Sequence, residues 1–354
     1  MKNKLFVVLS VLLVASVIIA GCAPAAPAPA AEEPAAEEAM VEEEAPAEEP
    51  AMVYKVGYIN ADLENPAWNA VGTGFTDKAT ELGMDAIAVS SSGQAATQFK
   101  HAQDMVTQEY DAVALSGTDS STANAAVLEF NKADIPVWIL HIKPDDPNAK
   151  FVAMVDAQNE GGNYDAGKYL ADTYAAKGMT GPAAEITISL ARSNGAARHA
   201  GFKKAMDEAG IELPEANIKE AITYTRDESY TFAQDLIAAN PDLSMIWCNY
   251  DEAVLGAMKA IEDAGKLGQI MVGGFDGSPE SLKAVVDGRI NVMAIQPLYY
   301  HGTIVAQQMF DFLTSGKAPE TISTDCPLVT TENAATEAEG FLASVFGPTA
   351  TFPE

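Results

Sequence analysis

The chain has 354 residues, 48% of them hydrophobic, which is enough for two domains of ordinary size with full cores. A formal net charge of −29 opposes extended contact with phosphate backbones and excludes nucleic acid as a partner. The three cysteines, Cys22, Cys248 and Cys326, form no Cys-x-x-Cys pair and have no histidine at zinc spacing, so no structural metal site is implied.

Residues 1–22 read as an export signal: Lys2 and Lys4, an apolar stretch, then small residues before a cysteine. The ending Ile19-Ala20-Gly21-Cys22 resembles a bacterial lipobox, which implies cleavage before Cys22 and a lipid on its thiol. The competing reading, a membrane-spanning anchor, has only residues 5–20 to work with, short for a bilayer. Residues 23–52 are almost entirely Ala, Pro, Glu, Met and Val, and their clustered glutamates repel one another. Such a segment reads as an extended tether that holds a folded body away from a membrane, with an acidic interaction tail as the weaker alternative.

From residue 53 onward, short apolar runs alternate with amphipathic segments in a βαβα pattern. A first series has strands at 55–60, 85–90, 112–116, 137–141 and 151–155, with helices at 66–82, 95–108 and 122–133. A second has strands at 184–190, 218–224, 245–249, 271–275 and 292–296. Its helices fall at 158–177, 196–209, 227–239, 252–264, 279–287 and 298–315. Gly83, Gly178, Gly210 and Gly265 each stand where a helix is expected to stop. Two successive runs of domain size predict an α/β chain of two similar doubly wound parallel-sheet lobes, with a cleft between them suited to a small molecule.

Asp276 closes the apolar run 271–275, at a strand's carboxyl end, where ligands bind in open parallel sheets. On spacing alone it is equally well placed to cap the helix that begins near Pro279. Asn65 offers an amide and Trp68 a flat ring for a sugar's C–H face, although Asn65-Pro66 is also a helix-capping pattern. Arg198 lies in the first turns of a helix, where the macrodipole opposes a cation and calls for a local partner or a ligand. In 247–251, Asn249 or Tyr250 faces the cleft, Asp251 reads as an N-cap, and Trp247 and Cys248 read as strand core. Gln296-Pro297 ends a strand and marks a chain crossing.

No Gly-x-Ser-x-Gly, Walker A, His-Glu-x-x-His or EF-hand pattern occurs. Gly72-Thr73-Gly74 lies within a helical segment and lacks the third glycine of a dinucleotide loop. Of His101, His141, His199 and His301, only His141 stands at a strand end. The chain therefore reads as a binding protein without cofactor or catalytic metal.

Taken together, Asn65-Pro66, Ile135-Pro136-Val137, Ala196-Ala197-Arg198, the helix carrying Asp251-Glu252 and Leu255-Gly256-Ala257, and Gly274-Phe275-Asp276-Gly277 resemble the ribose-binding, type I periplasmic class of sugar ABC-transporter substrate-binding proteins. The resemblance runs from about residue 53 to 333. It implies a monomer of two lobes joined by three crossings near Asp156, Gln296 and Asp325. The first lobe would be 53–156 with 297–325, the second 157–296 with 326–336, leaving 337–354 as a C-terminal tail.

It further implies a monosaccharide or polyol enclosed by Asn65, Trp68, His141, Arg198, Tyr224, Tyr250, Asp276 and Gln296, delivery to a membrane permease, and an extracytoplasmic location on a lipid anchor. A ligand-presenting sensor component for a membrane receptor, without transport, is the alternative. The chain departs from the ribose binders where His141-Ile142 replaces an Asp-Arg pair, Tyr250 replaces an asparagine and Ala67 replaces an aromatic. These departures predict poor binding of ribose and favour a hexose, deoxysugar or cyclic polyol. On this reading apolar Ile142 gives the ligand a surface with fewer hydroxyl partners.

Overall fold

The computed structural model of the protein describes residues 53–353. The export signal, Cys22 and the tether lie outside the described residues. The chain opens with β1 (Lys55–Asn60), α1 (Pro66–Glu81), β2 (Asp85–Ser90), α2 (Ala95–Thr107), β3 (Ala112–Leu115), α3 (Ser120–Lys132), β4 (Val137–Leu140) and β5 (Ala153–Ala157). It continues with α4 (Asn159–Ala176), β6 (Ala183–Thr187), α5 (Ser193–Ala209), β7 (Ile218–Glu220), α6 (Arg226–Ala239), β8 (Met245–Cys248), α7 (Asp251–Asp263), β9 (Met271–Asp276), α8 (Pro279–Val286) and β10 (Val292–Ile295). The last elements are α9 (Leu298–Ser315), β11 (Ile322–Thr324), β12 (Leu328–Thr330) and α10 (Ala334–Phe346).

Two six-stranded sheets result, ordered β11-β5-β4-β3-β1-β2 and β12-β10-β9-β8-β6-β7. All pairings are parallel except that of edge strand β12 with β10. The first sheet organises lobe 1 and the second lobe 2, and in each the order reverses beside the first strand, at β1/β3 and β6/β8. That reversal opens a crevice at the carboxyl ends of the strands. The chain passes between sheets three times: from β5 into α4, from β10 into α9, and from β11 into β12.

The lobes repeat one packing solution. The helix that enters each lobe after a crossing lies on another helix, α9 on α1 and α4 on α5. Gly74 and Gly302 permit the first approach, because a Cβ on Gly74 would lie 2.0 Å from the Tyr299 carbonyl oxygen and one on Gly302 2.2 Å from that of Val71. Each lobe also buries a strand tryptophan that is hydrogen-bonded to its crossing helix: Trp138 Nε1 donates to Gln308 Oε1 at 3.1 Å, and Trp247 Nε1 to Asn163 Oδ1 at 3.0 Å. Trp247 and Cys248 are strand core, as expected from the sequence.

Several boundaries differ from the sequence reading. Strand β5 starts two residues later than expected, with the half-exposed Val152 leading into it. Strand β7 stops at Glu220 because Glu228 gathers the backbone N–H groups of Ile222, Thr223 and Tyr224 into a turn, with Tyr224 at φ 55°. Residues 337–354, set aside as a tail, fall largely in α10. Its buried Ala334, Ala338, Leu342 and Val345 form a helical stripe packed on α8 of lobe 2 and α9 of lobe 1. Cys248 and Cys326 are buried and unpaired with each other.

Candidate functional site

The strand ends of both lobes converge on one cavity, which leaves about 60 Å³ in which the centre of a water molecule can move. Asn65, Trp68, His141, Arg198, Tyr224, Tyr250, Asp276 and Gln296 all line it. So do Arg192, Asn194, Asp251 and Ser278, which the sequence reading did not place there. Ile142 does not: it is fully buried and absent from the lining, so the apolar surface expected of it is withdrawn.

Arg198 is the hub of the lobe 2 wall. Its Nε donates to Asn159 Oδ1 at 2.8 Å, Nη1 to the Asn249 carbonyl at 2.6 Å, and Nη2 to Gln296 Oε1 at 2.8 Å. The guanidinium lies 4.0 Å over the Phe275 ring centroid. These contacts supply the local partners that a cation near a helix start requires, and they tie α4, the β8 loop and the second crossing to one side chain.

Asp276 ends β9 at φ 98°, a left-handed geometry seldom adopted by a side chain other than glycine and the kind of local strain that collects at binding sites. It does not cap α8, whose cap is Ser278, accepting from Ser281 N at 3.3 Å. The contact from Arg198 Nη1 to Asp276 Oδ1 is 3.5 Å, at the outer limit of a hydrogen bond. Burial pushes the Asp276 carboxyl above its usual range, opposed by Arg198 and by the Asp251 backbone. Asp251 is not an N-cap either. It is the first residue of α7, and it accepts from Gly277 N at 3.2 Å, Ser278 N at 2.9 Å and Ser281 Oγ at 2.6 Å, bracing the turn that follows Asp276. Burial, then repulsion from Asp276, raises the Asp251 carboxyl to about 7.

Gln296 accepts from Arg198 through Oε1, which leaves its amide N–H groups as donors. Tyr250 Oη pairs with Ser229 Oγ at 2.9 Å, and the rings of Tyr250 and Tyr224 meet edge-on with centroids 5.9 Å apart. Asn249 is buried beneath this layer, its Nδ2 donating to Thr187 Oγ1 at 2.6 Å.

The lobe 1 wall has a different chemistry. Asn65 caps α1, its Oδ1 accepting from Ala67 N at 3.0 Å, with Pro66 in the first turn. Capping and cavity lining therefore coexist, and the Asn65 side-chain N–H groups remain for a ligand. Trp68 is half-buried and meets His141 edge-on at 5.4 Å. His141 follows β4 at φ 63°, and burial, then His301 and Arg198, depress its pKa well below 6.5, so the ring is neutral.

The walls touch at the mouth of the cleft. Arg192 Nε donates to the Thr118 carbonyl at 2.8 Å, Ser193 N to Ser120 Oγ at 3.1 Å, and Lys143 N to Ser193 Oγ at 2.9 Å. Arg192 also lies 4.4 Å over the Tyr224 ring. In the sequence Arg192 precedes the helix that carries Arg198, and nothing local marks it as a cleft residue.

Comparison with known proteins agrees with this fold. Residues 56–318 match the family model described as periplasmic binding protein domain. The chain is 26% identical over 277 residues to the ribose import binding protein of Bacillus subtilis, covering 78% of this chain and 87% of that protein. It is 28% identical over 298 residues to the D-allose-binding periplasmic protein of Escherichia coli, covering 80% and 92%. Among solved structures, the Caulobacter myo-inositol binding protein bound to myo-inositol shares the fold with a TM-score of 0.73 at 22% identity, covering 80% of this chain and 95% of that one.

Proposed function

The chain belongs to the periplasmic binding protein domain family, and from that premise we propose that it captures a monosaccharide or cyclic polyol between its lobes and delivers it to an ABC-transporter permease. The observation that carries this reading is the pairing of walls: an arginine fork beside a strained, buried carboxylate on one side, and an indole ring with a neutral imidazole on the other. A carboxylate accepts hydroxyl protons, side-chain amides and arginines donate to ring and hydroxyl oxygens, and an indole covers the C–H face of a sugar ring. The segments around 157, 296 and 326 act as hinges on which ligand closes the lobes, because it contacts both walls at once only in the closed form. The ligand leaves unchanged. Anchoring through a lipid on Cys22 would keep the protein at the outer face of the membrane, and mass spectrometry of the extracted N-terminus tests that part.

For ligand identity, the named partners of the relatives are ribose and D-allose, and that of the structural neighbour is myo-inositol. His141 and Tyr250 stand where ribose binders carry other groups, so a hexose or cyclic polyol fits this cleft better than ribose. A thermal-shift screen of pentoses, hexoses, deoxysugars and polyols on the full chain tests the proposal. A ligand at a hundred times its Kd stabilises the folded state by about 2.7 kcal/mol, a shift of several degrees. The largest shift should come from a hexose or cyclic polyol. The largest shift from ribose would overturn the specificity, and no shift from any sugar or polyol would overturn the function.

A further inference from the structure

His141 is joined to a line of buried polar groups that the cleft does not need for its shape. His141 Nε2 meets His301 Nδ1 at 2.9 Å, His301 Nε2 meets Thr324 Oγ1 at 2.7 Å, and Thr324 Oγ1 reaches the Asp156 carbonyl at 3.5 Å. His141 Nδ1, by contrast, is buried with no hydrogen-bond partner among the described residues. Its other ring nitrogen is already taken by His301, so Nδ1 is the polar atom that His141 has left for the cavity it lines.

Two proton arrangements satisfy the ring-to-ring contacts, and three considerations select between them. A carbonyl only accepts, so using the Asp156 carbonyl requires the Thr324 hydroxyl to point its hydrogen there. Thr324 Oγ1 then accepts from His301 Nε2–H, and His301 Nδ1 accepts from His141 Nε2–H. This sense makes two close hydrogen bonds and a long third one, whereas the reverse makes only the two close ones and leaves a buried N–H unpaired at His141 Nδ1. Orphaned buried N–H groups are rarer than underused acceptors. Arg192 and Arg198 line the same cavity as His141, and their positive charge disfavours an unpaired N–H at Nδ1.

We propose that the Thr324–His301 pair fixes His141 Nδ1 as a hydrogen-bond acceptor in the cleft, so that the bound molecule must place a hydroxyl donor there. This rests on the sugar-binding reading and sharpens it: a deoxy position, an ether oxygen or a carbonyl at that point leaves the Nδ1 lone pair buried and unmet. All four members of the line belong to lobe 1, so the acceptor is set before the lobes close. His141 touches the ligand, while His301 and Thr324 act through it as positioning residues.

The test is nitrogen-15 NMR of the histidine rings in the full chain with no sugar added, so that an error in the substrate class leaves the result untouched. His141→Gln and His301→Gln assign the signals. Both rings should carry the proton on Nε2, with Nδ1 resonating as a bare nitrogen. Thr324→Val should move part of the His141 population to the Nδ1–H form, and Thr324→Ser should restore the original spectrum. An Nδ1–H or doubly protonated His141 in the unmodified chain at pH 7, or a spectrum indifferent to Thr324→Val, would overturn the proposal.

Discussion

The two walls of the cleft solve the same problem differently. Lobe 2 presents charge that the protein has already wired: Arg198 is held by Asn159, Asn249 and Gln296, while Asp251 braces the turn after Asp276. Lobe 1 presents rings, a half-buried indole and an imidazole kept neutral by burial. The difference teaches that charge is held in place on the lobe 2 side, where desolvating it costs most, and that lobe 1, whose polar groups are neutral, can close over a ligand without rearranging charges.

Arg198→Met should have the largest effect. It removes one member of a buried charged network and leaves Asp276 and Gln296 facing a void. Breaking such a network costs about 3–5 kcal/mol, read as a lower midpoint in urea denaturation. A loss below about 1 kcal/mol would mean that lobe 2 is not wired as described. Asp276→Asn should spare the fold more and the affinity less. A hydrogen bond to a charged acceptor contributes about 1.5–3 kcal/mol, so calorimetry should record roughly tenfold weaker binding or worse.

A smaller effect follows from pH and separates the walls again. In lobe 2 and at the first crossing, burial raises Asp251 and Asp156 from 3.8 to about 7, so their folded forms hold protons that the unfolded chain has lost. Stability from these groups falls as pH rises from about 4 to 7. His199, raised above 6.5 by its hydrogen bond to buried Glu185, contributes fully below 6.5 and loses that contribution as pH rises through its folded value. In lobe 1, burial depresses His301 to about 3 and lowers His141 as well, so their contribution runs the other way and is complete above 6.5. The contributions oppose one another at acidic pH, and above 6.5 only the falling ones remain. The thermal midpoint of the ligand-free protein should therefore decline between pH 6.5 and 8, and a rising midpoint would contradict the assignment.

Much of this was legible in the sequence because strand ends are local signals. An apolar run followed by Asp-Gly, Asn-Pro or Gln-Pro locates a carboxyl end, and in two doubly wound lobes those ends face one cleft. Asp276, Asn65 and Gln296 were found in this way. What escaped depends on contacts between distant segments. His301 looked like a scattered helical histidine because its partner His141 is 160 positions away. Strands β11 and β12 have three residues each, too few for a period, and are defined by the crossing they frame. Helix α10 lies beyond the reach of the family resemblance, and Gly340 in its middle weakens the helical signal. Ile142 misled because the resemblance puts it where ribose binders carry the arginine of an Asp-Arg pair, whereas an isoleucine at that place is buried away from the cavity.

The central claim is that one small ligand touches both walls, and tryptophan fluorescence tests it directly. Of the three tryptophans, Trp138 and Trp247 are fully buried in the two lobes, and Trp68 alone lines the cleft. Titrating the full chain with the hexose or polyol that gives the largest thermal shift should produce a saturable change in emission. That change should vanish in Trp68→Phe, and its midpoint should move at least about tenfold in Asp276→Asn. A change that survives without Trp68, or a midpoint indifferent to Asp276, would contradict a ligand held between the two lobes.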